Sequence, residues 1–337
     1  MNRVNVGVIG AGRIGRLHAR NLKYQVPGAN LLAISDVMVE TARGVAAELE
    51  IPICEQDYRG ILDRQEIEAV AICSSTDTHA RIITDAAGAG KDIFCEKPVA
   101  LELDQIDHAL AAVAQAGVKL LVGFNRRFDP SFRKAKELVA AGQIGAPHLL
   151  RISSRDPKPP PPGYIKSSGG LFLDMMIHDF DMARYLLGEE VNELMATGNC
   201  LIDPVIGELG DVDTAVVVLK YQSGALGTID NSREAVYGYD QRIEVFGSRR
   251  SVAVGNRTPT EVTVNGADFV RSDKPLFFFV ERYREAYVDE MNHFISCIVE
   301  GEQPLAGGLD GRIAVEMAYA AMDSLAKGMF VHVSRHC

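Results

Sequence analysis

An apolar run that leads straight into Gly-Ala-Gly-Arg-Ile-Gly (10–15) constrains this chain more than any other feature. "VNVGVIG" (4–10) reads as a strand and the residues from 14 to 24 carry helical periodicity, so the glycines fall at a strand-to-helix turn. The G-x-G-x-x-G spacing alone is weak, and this context makes it informative. Gly10 permits the tight turn, Gly12 lets a pyrophosphate approach the backbone, and Gly15 lets helix and strand pack closely, with phosphates over the helix N-terminus. Asp36 closes the next apolar run, about twenty residues beyond the last glycine. A carboxylate there accepts the ribose hydroxyls and repels a 2′-phosphate, and Val37 rather than an arginine follows it. The reading is NAD in preference to NADP, with Arg13 inside the loop as a further phosphate contact.

The pattern then repeats. "NLLAISD" (30–36), "AVAIC" (69–73), "DIFCEK" (92–97) and "KLLVGF" (119–124) are short apolar runs bounded by turn signals, as expected of strands buried on both faces. Helical patterns at 14–24, 39–49, 78–90 and 103–116 separate them, which predicts a doubly wound parallel α/β domain over 1–124. Beyond it "HLLRISSRD", "DTAVVVLKYQSGALGTIDNS" and "QRIEVFGSRRSVAV" are longer β-rich runs with hairpin-like glycines at 224, 247 and 255. They predict a second α/β domain over 125–337, built on a large, mostly antiparallel or mixed open sheet. Two C-terminal helices, near 281–300 and 310–327, complete it, and one of them is free to pack back on the first domain. "PKPPPPG" (157–163) reads as a stiff extended loop of polyproline character.

At 337 residues two domains are the natural expectation. A net charge of −10 argues against a nucleic-acid partner, which needs a basic face. No apolar run reaches the roughly 18 residues of a membrane span, and no leader is recognisable ahead of the first strand. The six cysteines are scattered without a C-x-x-C pair. Free thiols in a reducing cytoplasm follow.

Two segments carry chemistry. "FCEKPVA" (94–100) ends a strand with Glu96, Lys97 and Pro98, and ligands of open α/β sheets collect beyond the carboxyl ends of strands, so Lys97 is aimed at the cofactor crevice. "DMMIHDFD" (174–181) sets a histidine among carboxylates. On a helix Asp174, His178 and Asp181 share one face and Asp179 points elsewhere. A metal site is disfavoured, because no second histidine sits at i+4 and no cysteine is near. The bland alternative makes Asp174 a helix N-terminal carboxylate and His178 a satisfied interior histidine. Beside Lys97 and a nucleotide fingerprint, a general base oriented by a carboxylate is the more coherent reading. The consecutive Arg126 and Arg127 read as a solvated pair, of which only one can face a cleft in an extended segment.

Taken together, the glycine-loop strand, "CEKP", "VGFNRRFDP" and the D-x-x-x-H motif resemble the glucose–fructose oxidoreductase/inositol dehydrogenase (Gfo/Idh/MocA) family over essentially the whole chain. "SRDP", "GYIKSSGGLFLDMMIHDFDMARYLLGEE" and "YGYDQRIEVFGS" are most similar to its inositol 2-dehydrogenase branch. The resemblance implies a Rossmann domain, a second α/β domain whose open sheet makes oligomer contacts, and a homotetramer. It maps Lys97, Asp174 and His178 onto a catalytic trio, with His178 the acid/base, Asp174 its orienting partner and Lys97 polarising the reacting hydroxyl. It also implies polyol contacts from Arg127, Asp156 and Tyr239. The cofactor would be lined by the loop residues Gly10, Gly12, Arg13, Ile14 and Gly15, by Asp36, and by Ser74, Thr76, His79, Glu96, Lys97 and Asn125. Asn125 stands where many relatives carry methionine or another residue.

The expected activity is NAD-dependent oxidation of myo-inositol to scyllo-inosose, with a small cyclic polyol as the partner and no metal. Rivals on the same machinery are scyllo-inositol or an aldose such as glucose. A non-catalytic NAD sensor would be expected to break the Lys97/Asp174/His178 set, and a metal-dependent hydrolase would need more ligands.

Overall fold

The computed structural model describes residues 3–333. The chain forms two compact units, one of residues through Phe128 with Glu285–Val315, the other of Asp129–Arg284 with the chain from Glu316 on.

In the first unit β1 (Val4–Ile9), β2 (Ala29–Ser35), β3 (Ile53–Glu55), β4 (Ala69–Ile72), β5 (Asp92–Glu96) and β6 (Leu120–Gly123) make one parallel sheet in the order β3-β2-β1-β4-β5-β6. The helices α1 (Arg13–Tyr24), α2 (Val39–Leu49), α3 (Arg59–Leu62), α4 (Thr76–Gly88) and α5 (Leu103–Ala116) connect the strands. Val6, Val8, Val70, Ala71, Ile72, Phe94 and Cys95 are all fully buried, which is why these strands are continuous apolar runs and not alternating ones. The strand order reverses between β1 and β4, the place where a doubly wound sheet opens a crevice at its carboxyl edge. The short strand β3 was not expected. Its residues Ile53, Cys54 and Glu55 are only half-buried, so no apolar run announces it.

The second unit opens at Asp129, whose Oδ1 accepts the backbone N–H groups of Ser131 and Phe132. With Pro130 in the first turn this starts α6 (Pro130–Ala140). β7 (Pro147–Arg155) is followed by three short helices, α7 (Pro162–Ser168), α8 (Gly170–Asp174) and α9 (Ile177–Leu187). Then come β8 (Val191–Asn199), α10 (Pro204–Glu208), β9 (Thr214–Tyr221), β10 (Leu226–Ser232), β11 (Asp240–Gly247) and β12 (Ser251–Val254). A separate hairpin, β13 (Thr263–Asn265) with β14 (Val270–Ser272), precedes α11 (Phe279–Arg282).

With β15 (Val331–His332) the large sheet has seven strands in the order β12-β11-β7-β10-β9-β8-β15. It is mixed: β7 and β10 are parallel and the other pairs antiparallel. Leu150, Ile152 and Ser154 of β7 face inward, whereas the opposite face leaves Leu149, Val216, Leu226 and Phe246 exposed. The proline-rich stretch is extended only through Pro161, at φ −60° and ψ 147°. Pro162 and Gly163 already belong to α7, because the fixed φ of proline suits a first helical turn.

From Glu285 on, α12 (Arg284–Glu300) belongs to the first unit, as does α13 (Gly308–Lys327) up to Val315. Phe294 packs 6.2 Å from the Phe94 ring, and Ile295 fits against Gly28, where a Cβ would approach it to 2.9 Å. Glu290 on the same helix is fully buried, and among the described residues neither of its carboxylate oxygens meets a hydrogen-bond partner. Burial, and then the charge of Glu96, holds its carboxyl well above the ordinary value of 4.5. The folded protein therefore keeps this proton where the unfolded chain has released it. Its stabilising contribution is complete below about pH 4.5 and is lost as pH rises toward the folded value. Glu290→Gln, of the same shape but unable to ionise, should leave the melting temperature unchanged near pH 4 and raise it near pH 8. Thermal melts of both proteins at the two pH values check this, and an equal effect at both would contradict it.

No helix among the described residues is long and apolar enough to cross a membrane. Cys54, Cys73, Cys95, Cys200 and Cys297 are free thiols, and Cys337 lies outside the described residues.

Candidate active site

The glycine loop is built by close approach. Gly10 has φ +98°, and a Cβ there would meet the Cys73 carbonyl carbon at 2.6 Å. A Cβ on Gly15 would lie 1.8 Å from the Gly10 carbonyl oxygen, so α1 packs onto the end of β1 only without one. Gly12 has nothing within 4 Å of where its Cβ would be, and it caps α1 without any side-chain hydrogen bond. An open, uncapped helix N-terminus is what a pyrophosphate needs. Arg13 beside it is exposed and Ile14 half-buried.

Asp36 does more than sequence foretells. Its Oδ2 accepts the Ala11 N–H at 2.7 Å and its Oδ1 the Met38 N–H at 2.8 Å, so the same carboxylate that would read a ribose also braces the glycine loop. Each oxygen keeps a second lone pair for a hydroxyl. These groups fit a dinucleotide.

At the end of β4, Ser74 Oγ shares a 2.7 Å hydrogen bond with Thr78 Oγ1, and Thr76 is the first residue of α4. His79 departs from its expected place in the cofactor lining. Its ring is buried, with Nδ1 2.8 Å from the Pro98 carbonyl oxygen and Nε2 3.0 Å from that of Ser74. Burial lowers its pKa, and a neutral ring donates to only one of the two carbonyls at a time. It ties the loop after β4 to the one after β5, where the Lys97–Pro98 bond is cis. Glu96, also expected to line the cofactor, turns Oε1 to His18 Nε2 at 2.7 Å and lays Oε2 against Gly123. Lys97 is half-buried.

The segment after β6 corrects another expectation. Residues Asn125–Phe128 form a 3-10 turn, not an extended strand, and Asn125, Arg126 and Arg127 are all buried. A tight turn lets consecutive side chains both go inward. Arg127 sends Nη1 to the Leu305 carbonyl at 2.6 Å and Nη2 to Asp310 at 2.9 Å, which makes it an internal brace of the first unit and not a solvated arginine.

In the second unit the D-x-x-x-H motif is not on one helix. α8 stops at Asp174, Met176 N–H bonds back to the Leu171 carbonyl, and α9 starts at Ile177. Asp174 therefore ends one helix and His178 lies in the first turn of the next, so a helix N-terminal Asp174 is not found. Even so, from Gly170 to Arg184 every residue is buried except these two. Their neighbours explain how they are held. Asp179, fully buried, accepts Ser154 Oγ at 2.6 Å and Asn231 Nδ2 at 2.9 Å, stapling α9 to β7 and β10. Asp181 is buried as well. At the start of α8, Gly170 has φ +82° and sits under the Asp211 carboxylate, which accepts the Leu171 N–H at 3.0 Å.

Asp174 has two partners that sequence reasoning missed. Tyr164 OH donates to its Oδ1 at 2.9 Å, and Arg233 Nη1 donates to its Oδ2 at 3.1 Å. Burial and the Asp174 charge raise the Tyr164 phenol, which stays a donor. Arg233 Nη1 also reaches Asp156 at 3.4 Å, so the structure joins two of the expected site carboxylates through one guanidinium. The only sequence signal was position: Arg233 lies six residues before Tyr239, and Tyr164 ten before Asp174. Tyr239 itself is buried, edge-on to the Tyr283 ring at 6.1 Å. Among the described residues no cluster of three or more acidic, histidine or cysteine side chains could hold a metal ion.

Comparison with known proteins identifies the two domains. Residues 4–124 match the oxidoreductase family with an NAD-binding Rossmann fold, and residues 132–253 match the GFO/IDH/MocA C-terminal domain. An uncharacterised oxidoreductase of Bacillus subtilis is 51% identical over 98% of this chain and 97% of its own. The myo-inositol 2-dehydrogenase of Thermotoga maritima is 50% identical over 96% of each. The crystal structure of scyllo-inositol dehydrogenase from Lactobacillus casei, with bound NAD(H) and scyllo-inositol, superposes with a TM-score of 0.91 at 29% identity, covering 99% of this chain and 100% of that one.

Proposed function

This chain belongs to the Gfo/Idh/MocA family of oxidoreductases, and from that membership we propose that it oxidises the 2-hydroxyl of myo-inositol to the ketone, scyllo-inosose. The observation that carries the reading is that Asp174 and His178 alone are half-buried in an otherwise fully buried run, in a chain whose first domain is an NAD-binding Rossmann domain. Half the residues of the Thermotoga myo-inositol 2-dehydrogenase are shared, which supports inositol as the substrate class.

Gly10, Gly12, Arg13, Ile14 and Gly15 hold the cofactor phosphates, and Asp36 its ribose. Bound NAD supplies the acceptor for the hydride. An alcohol cannot give up a hydride without also losing its hydroxyl proton. We assign uptake of that proton to His178, on an imidazole nitrogen, and to the Lys97 ammonium the stabilisation of developing alkoxide charge. Asp174, which accepts from Tyr164 and Arg233, orients the base, while Asp156 and Tyr239 meet other hydroxyls of the ring.

scyllo-Inositol is the second reading, favoured by the Lactobacillus structure that holds it. Following reduced-nicotinamide absorbance with NAD or NADP against a panel of inositols and aldoses tests both. We expect the highest kcat/KM with NAD and myo-inositol. No turnover of any polyol would leave a nucleotide-binding sensor in its place.

A further inference from the structure

We propose that Arg233 is a positioning residue that sets the protonation of the Asp174–His178 pair and couples it to Asp156. The inference rests on the reading of that pair as the proton-handling groups. The guanidinium is almost fully buried, at 3% exposure, and a single nitrogen, Nη1, serves both Asp174 and Asp156. Arg233 keeps its charge at any working pH, because the carboxylates around it raise its pKa against burial.

The groups facing this charge come from every neighbouring element. Tyr164 comes from α7 and Asp174 from the end of α8, four residues ahead of His178 in the chain. Asp156 follows β7, and Asp211 lies in the loop ahead of β9. Three carboxylates therefore share one buried cation. The negative potential they would impose on a base at His178 is partly cancelled by Arg233. The cation favours ionised Asp174 and opposes protonated His178. Both effects keep the base available at lower pH. A site with Asp174 and Asp156 but no guanidinium would hold a proton where the mechanism needs none.

The sign is testable, because removing the cation and removing a neighbouring carboxylate act in opposite directions. In Arg233→Gln the unopposed carboxylates raise the pKa of the pair. The acid limb of the kcat–pH profile should move up by about one unit, with kcat at neutral pH falling about threefold and well below the limb about tenfold. Arg233→Lys restores the charge without the planar grip, so its limb should stay near that of the wild type while kcat falls less. Asp156→Asn leaves Arg233 wholly to Asp174. Its limb should move down, with a raised KM for the polyol because a hydroxyl contact is lost.

NADH affinity should stay within about twofold in all three, since no cofactor-holding residue is touched. Wild-type turnover of a polyol is measured first, and its absence would count against the proposed function, not against Arg233. A uniform loss across pH in Arg233→Gln, with an unmoved limb, would reduce Arg233 to a structural ion pair. If that variant does not fold, Arg233→Lys and Asp156→Asn still decide. A limb displaced upward in the first, or one that fails to move down in the second, overturns the proposal.

Discussion

His178→Ala should lower kcat by about 10²–10⁴-fold while NAD affinity changes by no more than about twofold. The size follows from the chemistry. At neutral pH an alcohol holds its proton, and only a positioned base makes its removal concerted with departure of the hydride. Histidine is the side chain whose ordinary pKa lies closest to that pH. The separation from binding follows from where the groups are, because the glycine loop joins β1 to α1 and Asp36 follows β2, all in the first unit, whereas His178 is in the second. Lys97→Ala, although in the first unit, should lower kcat by the same order and more than NAD affinity, because an ammonium beside a developing alkoxide acts mainly in the transition state. Steady-state kinetics with NADH fluorescence titration separates the two quantities. Near-normal turnover in either variant would remove the role given to that residue. A parallel loss of cofactor affinity would mean a binding role instead.

The second large effect is at Asp36. Asp36→Ser should weaken NAD binding about tenfold or more and shift the NAD-to-NADP preference by roughly 10²-fold toward NADP. Two causes add. The carboxylate would repel a 2′-phosphate a few ångströms away, and serine would not. The carboxylate also holds the Ala11 and Met38 N–H groups, so its loss loosens the loop that seats the pyrophosphate. Asp36→Asn separates the causes: it keeps one acceptor oxygen and removes the charge, so it should regain part of the NAD affinity but not the discrimination. Measuring KM and kcat for both cofactors in the three proteins is sufficient. An Asp36→Ser protein that still rejects NADP would place the selectivity elsewhere.

Much of this site was legible before any coordinates. The strands of the first sheet are apolar on both faces, and their spacing gave the doubly wound topology, apart from β3, whose three half-buried residues carry no pattern. The glycines were legible because their reasons are local: Gly15 must clear Gly10, five residues away. Periodicity misled at "DMMIHDFD", where an i, i+4 pair suggests one helix face. The chain instead ends a helix at Asp174 and restarts it at Ile177, and local spacing has no sign for such a break when Met175 and Met176 are good helix formers. "NRRFD" misled for a related reason. A pair of arginines looks solvated until Asp310 and the Leu305 carbonyl, far along the chain, are brought to one of them.

By itself, then, the sequence determined the dinucleotide-binding unit and the identity of a carboxylate at its second strand, a lysine, an aspartate and a histidine worth testing. The glycine loop, Asp36 and Lys97 are announced by residues within strand–turn–helix units, where covalent neighbours fix the geometry, and Asp174 and His178 by a short acidic motif around one histidine. Only the tertiary structure decided which groups surround Asp174, since Arg233 reaches it across 59 residues of chain. It also decided that His79 and Arg127 face inward and that Glu290 is a buried acid. Charge partners and burial are properties of packing, and no local pattern encodes what a distant segment will lay beside a side chain.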